Sequence, residues 1–285
     1  MIRSVFGTSK INKQNLLSVY KSWSFRRQLS VGKCQRREFQ NLKHRYPYFG
    51  FVPCHSHGVD FILFHCNDDV VAWNYFWLGA NKYEPTVTHT WIKWCEEADI
   101  VYDIGAYTGL MTILACLINS KTKVHLFEPM ERTIERAKIN CCANCIHGRV
   151  NYHNKALSNK KGQETIHLYR DENFLGTGNA IDAKVGLEVI GTKIIETVVG
   201  DDYLCQESPS IIKIDVEGHE LEVLKGLEKT IARCRPKIIV EVWQKNRVDI
   251  LSFFDALGYI CHPFDDPQLN VVDYRCIPKT MDPRR

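Results

Sequence analysis

From Ile100 to Cys261 the sequence repeats one unit: a short apolar run, a turn marked by glycine or an acid, then a longer stretch with helical spacing. This alternation confines the chain to a parallel sheet with helices on both faces, because parallel strands need long crossovers that are usually helical. Strands are expected at 100–104, 123–127, 149–155, 211–215 and 237–242, with helices over 108–119, 131–142, 220–232 and up to 257. The runs 259–261 and 271–274 are expected to close the sheet as a β-hairpin. Two extended runs, 164–169 and 193–199, stand where a crossover helix would normally lie, and they read as an inserted β-hairpin region. The expected fold class is therefore α/β and Rossmann-like, with a small N-terminal extension.

Two further zones precede the repeat. Residues 47–88 are aromatic-rich and read partly as strand, with Phe61–Phe64 as one β run. Asn67-Asp68-Asp69 would then be a turn before a second run, Val70–Trp73. Met1 to Tyr46 carries eleven Lys or Arg and one acid, Glu38, which leaves 26 bases against 32 acids, net −6, in the remainder. The expected organisation is a basic segment 1–46, an aromatic-rich cap 47–88 and a catalytic domain 89–285. An acidic catalytic part argues against a nucleic-acid partner, whose enzymes gather basic charge around the cleft. The basic start fits a solvated helix pair making peripheral contact with an acidic membrane surface. It also fits a mitochondrial transit peptide. No apolar run is long enough for a transmembrane segment. Twelve cysteines without an apolar export signal point to reduced thiols and a cytoplasmic setting.

The chemistry begins at Asp103-Ile-Gly-Ala-Tyr-Thr-Gly109, between a strand and a helix. Gly105 permits a tight turn and Gly109 a close helix approach, but Tyr107 occupies the place of a dinucleotide loop's middle glycine. A side chain there crowds a pyrophosphate, so NAD and FAD are disfavoured. S-adenosylmethionine has no pyrophosphate, and its ammonium is expected to meet Asp103, directly or through water. Glu128 ends the next strand, 25 residues after Asp103. There a carboxylate is placed to accept hydrogen bonds from both ribose hydroxyls. No metal is expected. Cys142-Ala-Asn-Cys145 is half of a zinc pattern without its second pair, and Cys54, His55, His57, His65 and Cys66 flank a β run.

Three runs carry a resemblance: Tyr102-Asp-Ile-Gly-Ala-Tyr-Thr-Gly109, Leu126-Phe-Glu-Pro129 and Lys213-Ile-Asp-Val-Glu-Gly-His-Glu220. Together with Asn154–Ser158, Asp201–Leu204 and Pro236–Glu241 they resemble the FkbM family of methyltransferases over about Gly58 to Tyr259. The segment from Asn67 through Tyr83-Glu-Pro85 is also similar to the region preceding that family's catalytic domain. The resemblance implies a class I methyltransferase sheet, S-adenosyl-L-methionine as cofactor with Ala156 among its contacts, and O-methylation of a hydroxyl on a sugar, glycan or related small molecule. Tyr107 departs from the pattern, which commonly has a small polar residue such as Asn there.

Methyl transfer to a neutral hydroxyl is helped by alignment and by a base. Asp215, Glu217 and His219 follow the fourth strand, where open α/β sheets bind ligands, and His219 titrates in a range suited to a base. The same residues also suit a helix start, with acids near its positive end. Glu241, ending the fifth strand, is a second-rank candidate. Two alternatives stay open: an RNA or protein methyltransferase using the basic N-terminal arm, and a catalytically inactive adenosyl-binding scaffold.

Overall fold

The computed structural model describes residues 48–169, 175–176, 179–181 and 188–279. The basic segment 1–46 lies outside the described residues. The chain opens with an antiparallel hairpin of β1 (Phe49–Ser56) and β2 (Val59–Cys66). Helices α1 (Val70–Leu78) and α2 (Pro85–Cys95) follow. Residue 88, where the aromatic-rich zone was read to end, falls inside α2.

The main sheet has the order β11-β12-β10-β9-β3-β4-β5. Its strands are β3 (Ile100–Ile104), β4 (Lys123–Phe127), β5 (Val150–His153), β9 (Ile211–Ile214), β10 (Lys237–Trp243), β11 (Tyr259–Pro263) and β12 (Val271–Pro278). All neighbours are parallel except β12, which runs antiparallel to β10 and β11. This is the strand arrangement of class I methyltransferases. The chain leaves β3 toward β4 on one side, whereas β9, on the other side of β3, leads to β10. Ligands bind beyond the carboxyl ends of the strands at such a switch point.

Helices α3 (Leu110–Ile118) and α4 (Glu131–Ala143) cover one face together with the hairpin, α1 and α2. The other face is covered by α5 (Gly200–Tyr203), α6 (Glu220–Gly226), α7 (Glu228–Cys234) and α8 (Arg247–Ala256). The inserted region forms a separate sheet of β6 (Ala156–Ser158), β8 (Val189–Val199) and β7 (Gly162–Tyr169), in that order.

Val70–Trp73 is helix, not strand. Asp69 caps it, its Oδ1 accepting from Val71 N at 2.8 Å and Ala72 N at 3.0 Å. Six of the nine α1 residues are buried, so the run has no polar face and its period is invisible. The expected helix 220–232 is two helices meeting at Leu227. A Cβ on Gly226 would lie 2.1 Å from the Ser158 carbonyl oxygen, so α6 sits directly on β6.

The hairpin is fastened to the sheet by amide side chains one turn apart on α4. Asn140 accepts from Phe64 N at 2.7 Å, and Asn144 both accepts from Ile62 N at 2.9 Å and donates to Ile62 O at 2.7 Å. The free edge of β2 is thereby satisfied. Beside it Arg136 and Arg132 meet Asp68 at 3.0 and 2.9 Å. One apolar core runs from Val52 and Leu63 through Trp91 to Val101 and Leu126, uniting hairpin and sheet.

The reduced-thiol expectation is corrected at one place. Cys261 and Cys276 are register partners across β11 and β12 and form a disulfide. The nine other described cysteines are free. Among the described residues no helix is long and apolar enough to cross a membrane.

Candidate active site

A cavity of about 1130 Å³, counting its solvent-open mouth, lies beyond the carboxyl ends of β3, β4 and β9. Asp103, Gly105, Tyr107, Glu128, Ala156, Asp215, Glu217 and His219 all line it. Residues separated by more than a hundred positions thus meet at one point. Ile166 and Ile195 of the inserted sheet form one wall, and Tyr83 and Glu84 enter from the connection before α2.

The loop after β3 is built on left-handed backbone at Gly105 (φ 78°), Tyr107 (φ 48°) and Gly109 (φ 88°). A Cβ on Gly105 would fall 1.8 Å from the Asp215 carbonyl oxygen, so only glycine lets this loop meet the exit of β9. Gly109 does not line the cavity; a Cβ there would sit 3.3 Å from Ala137, so it brings α3 close to α4. Position 107 favours Asn or Gly, and Tyr there costs roughly 1–2 kcal/mol of backbone strain. The side chain is the departure from the family pattern; the backbone shape it must adopt explains why Asn is common there.

The loop's amides are committed within the protein. Gly105 N and Ala106 N both donate to Phe127 O at 3.0 Å. Tyr107 N donates to Glu128 Oε2 at 3.2 Å, while Met130 N donates to Glu128 Oε1 at 2.8 Å. Burial pushes the Glu128 carboxyl up to about 8 against these two amide bonds. Asp103 Oδ2 accepts from Thr112 N at 2.9 Å and Thr112 Oγ1 at 2.6 Å, and burial raises its carboxyl too. One Asp103 oxygen therefore holds the start of α3, and contact with a ligand falls to the other.

Beyond β9 the turn places Glu217 (φ 58°) and Gly218 (φ 105°) in left-handed backbone. Glu220 organises the turn, its Oε1 accepting from Gly218 N at 2.8 Å and Val216 N at 3.3 Å. His219 precedes α6, and its Nε2 lies 3.0 Å from Ser158 Oγ, a buried contact that ties the turn to β6. Glu241 does not line the cavity. It accepts from Trp243 Nε1 at 2.8 Å, and burial and the neighbouring Asp215 raise its carboxyl.

Of the charged lining residues that escaped the sequence reading, two stand near Asp215. The fourth strand was expected to be apolar up to Asp215, with its earlier side chains committed to packing. Instead Lys213, 3% exposed, projects its ammonium to 2.7 Å from Asp215 Oδ2. The signal was a lysine inside the run Ile211-Ile212-Lys213-Ile214, because buried lysines need partners. Glu84 is the other, and a lone Glu before a proline carries no local signal. Among the described residues no group of three His, Cys, Asp or Glu is poised to hold a metal ion. His55 instead pairs with Asp60 at 2.7 Å.

The Methyltransferase FkbM domain description matches residues 103–261, more than half of the chain. The chain belongs to the FkbM family. A similar protein is hexuronic acid methyltransferase AglP of Haloferax volcanii, 30% identical over 162 residues, 56% of this chain. The alignment spans 62% of that relative's length. Among solved structures, methyltransferase FkbM from Methylobacillus flagellatus KT is similar at 17% identity and TM-score 0.44, covering 63% of this chain and 44% of that one. An O-methyltransferase from Bacillus cereus in complex with SAH is similar at 14% identity and TM-score 0.43, covering 69% and 82%.

The FkbM cavity suits S-adenosylmethionine by the chemistry of its lining. Among the described lining residues, Asp103, Glu128, Asp215, Glu217 and Glu84 stand with two lysines, Lys155 and Lys213. Both lysines are paired, Lys155 with Glu196 and Lys213 with Asp215. A surplus of acids favours a ligand carrying sulfonium and ammonium charge. The engaged amides of 105–107 leave little to cradle a pyrophosphate.

Proposed function

We propose that the protein transfers a methyl group from S-adenosylmethionine to a hydroxyl of a sugar, glycan or related small molecule. The observation that carries this reading is the meeting of Glu128, the 103–109 loop and the Asp215–His219 turn around one acid-lined cavity. When bound, the cofactor supplies a methyl group already activated on sulfonium. Glu128 holds the ribose hydroxyls, Asp103 and the loop hold the methionine end, and Ala156 and Pro129 border the adenine side. The turn 215–219 faces the acceptor, with Asp215 oriented by Lys213 and His219 fixing the turn through Ser158. The protein's contribution is mainly alignment of acceptor oxygen, methyl carbon and sulfur, which is worth several kcal/mol.

A sugar acceptor is supported by the similar protein whose name specifies hexuronic acid. The experiment is transfer from methyl-labelled cofactor into separate pools of glycosides, natural-product alcohols, RNA and protein, using the full chain and a form lacking residues 1–46. Label in a carbohydrate hydroxyl, kept after truncation, is the expected result. Label in RNA that vanishes on truncation or with added salt would replace this reading with the nucleic-acid one. Cofactor binding without transfer to any pool would leave an inactive scaffold.

A further inference from the structure

Among the described residues, the end of the cavity at Lys213 gathers several acids around one buried cation. Lys213 is held by Asp215 at 2.7 Å. Asp273 and Glu84 bear on the same ammonium. Asp215 also raises the carboxyls of Glu241 and Glu220, and Glu217 adds to the rise at Glu241. Tyr83 stands beside Glu84. Of Lys213 and the three carboxyls that bear on it, only Lys213 is buried; Glu84 and Asp273 are half-buried, and desolvation raises both carboxyls.

Glu84 is the member placed to exchange a proton with a ligand. It lines the cavity, whereas Asp273 does not, and the Asp215 oxygen nearest Lys213 is committed to the ion pair. Its backbone is left-handed, φ 40° and ψ 58°, at the N-cap of α2, yet its side chain makes no cap hydrogen bond. Thr88 donates to the Glu84 carbonyl from both N and Oγ1, each at 2.9 Å, which pins the strained residue. A non-glycine residue kept in this conformation is a common mark of a working position. The charges that act on its carboxyl are Lys213 of β9, Asp215 just after β9 and Asp273 of β12, and Glu128 is not among the main ones.

Resting on the methyl-transfer reading above, we propose that Glu84 is the catalytic base for a neutral hydroxyl acceptor, with Lys213 and Asp215 positioning it. The acceptor oxygen bonds to the methyl carbon as the methyl–sulfur bond breaks, and that electron pair stays on sulfur as a neutral thioether. The hydroxyl proton passes to a Glu84 oxygen and leaves through the open mouth. Burial raises the Glu84 carboxyl to about 7, with Lys213 opposing and Asp273 and Asp215 adding to the rise. A base that titrates near the working pH is the efficient kind. A carboxylate acceptor would need no base and would meet this acid surplus as a like charge. The residue lies outside the stretch 103–261 matched by the family description, so the segment before that stretch supplies it.

The test uses the full chain as wild type, Glu84→Gln and Glu84→Asp, with three readouts. First, carbon-13 NMR of glutamate-labelled protein follows carboxyl titration. One resonance moving near neutrality should disappear in Glu84→Gln, while those of Glu128 and Glu220 stay. Second, calorimetry with S-adenosylmethionine should give affinities within about threefold across all three proteins. Third, single-turnover transfer to methyl glucoside and methyl galactoside should fall about 10²–10⁴-fold in Glu84→Gln and recover partly in Glu84→Asp. Transfer to methyl glucuronoside should go to a hydroxyl, never to the carboxylate. An ordinary acidic titration of Glu84 overturns the proposal. So does a tenfold or greater loss of cofactor affinity in Glu84→Gln, which would make the residue a clamp for the cofactor ammonium. Failure of wild type to bind the cofactor would instead defeat the methyl-transfer reading. If wild type binds cofactor but methylates no glycoside, the sugar-acceptor reading fails; where wild type does transfer, undiminished transfer in folded Glu84→Gln overturns the Glu84 assignment.

Discussion

Replacing Glu128 by alanine tests the cofactor site most directly, and its size can be worked out. In the free protein burial raises this carboxyl to about 8, so at pH 7 it is mostly protonated. Ribose hydroxyls donate to the charged form, so binding expels the proton. Hydrogen bonds to a charged group contribute about 1.5–3 kcal/mol. Losing the proton at pH 7 from a group titrating near 8 costs about 1.4 kcal/mol, a cost that nearly vanishes at pH 8.5. Glu128→Ala should therefore weaken S-adenosylmethionine binding roughly ten- to 150-fold at pH 8.5. At pH 7 the deficit should be about tenfold smaller. Wild-type affinity should rise with pH up to about 8 and then level, and the binding enthalpy should depend on the buffer's ionisation heat because a proton is released. Calorimetry in two buffers at both pH values, with thermal unfolding as a control for folding, measures all of this. Equal affinity of wild type and a folded Glu128→Ala protein at pH 8.5 would refute the ribose assignment.

Two further outcomes follow from the geometry. His219→Ala orphans the buried Ser158 hydroxyl, so it should lower stability by about 1–3 kcal/mol. Under the Glu84 assignment single-turnover transfer per folded molecule should fall only modestly; a loss of 10²-fold or more, with disappearance of an ionisation near neutrality, would return the base to His219. Asp68→Asn should cost about 3 kcal/mol at pH 7 by leaving the buried Arg136 unpaired. Although burial works against it, Arg136 and Arg132 hold the Asp68 carboxyl below its usual value. Its stabilisation is present above the unfolded carboxyl's pKa and is lost as pH falls through the folded one. Denaturant unfolding from pH 7 to 3 should show the gap between wild type and Asp68→Asn starting to narrow below about pH 4; a gap unchanged between pH 7 and pH 3 would count against the ion pair.

The elements whose chemistry is local were legible in the sequence. Apolar runs of strand length, each followed by helical spacing, forecast β3, β4, β9, β10 and the closing hairpin. The position of Glu128 at a strand end and the glycine at 105 located one wall of the cavity, because a strand-to-helix turn is specified by its own few residues. Where burial erased the pattern, the reading failed. Val70–Leu78 is apolar on every side, so only its docking against the hairpin and its Asp69 cap decide that it is helix. The break at Leu227 comes from the contact of Gly226 with Ser158, a residue nearly seventy positions away. Lys213 looked like an interruption in a packing strand until Asp215, Glu84 and Asp273 were placed around it. Those four residues come from the end of one strand, the cap of a helix 129 positions earlier and an antiparallel strand near the end of the described chain. A carboxyl's proton affinity depends on burial and on the charges facing it, and both are properties of the folded arrangement. The sequence by itself determined a Rossmann-like sheet with its strand-to-helix loop at 103–109; only the tertiary structure decided which acids gather at Lys213, because that ammonium is reached through space and not along the chain.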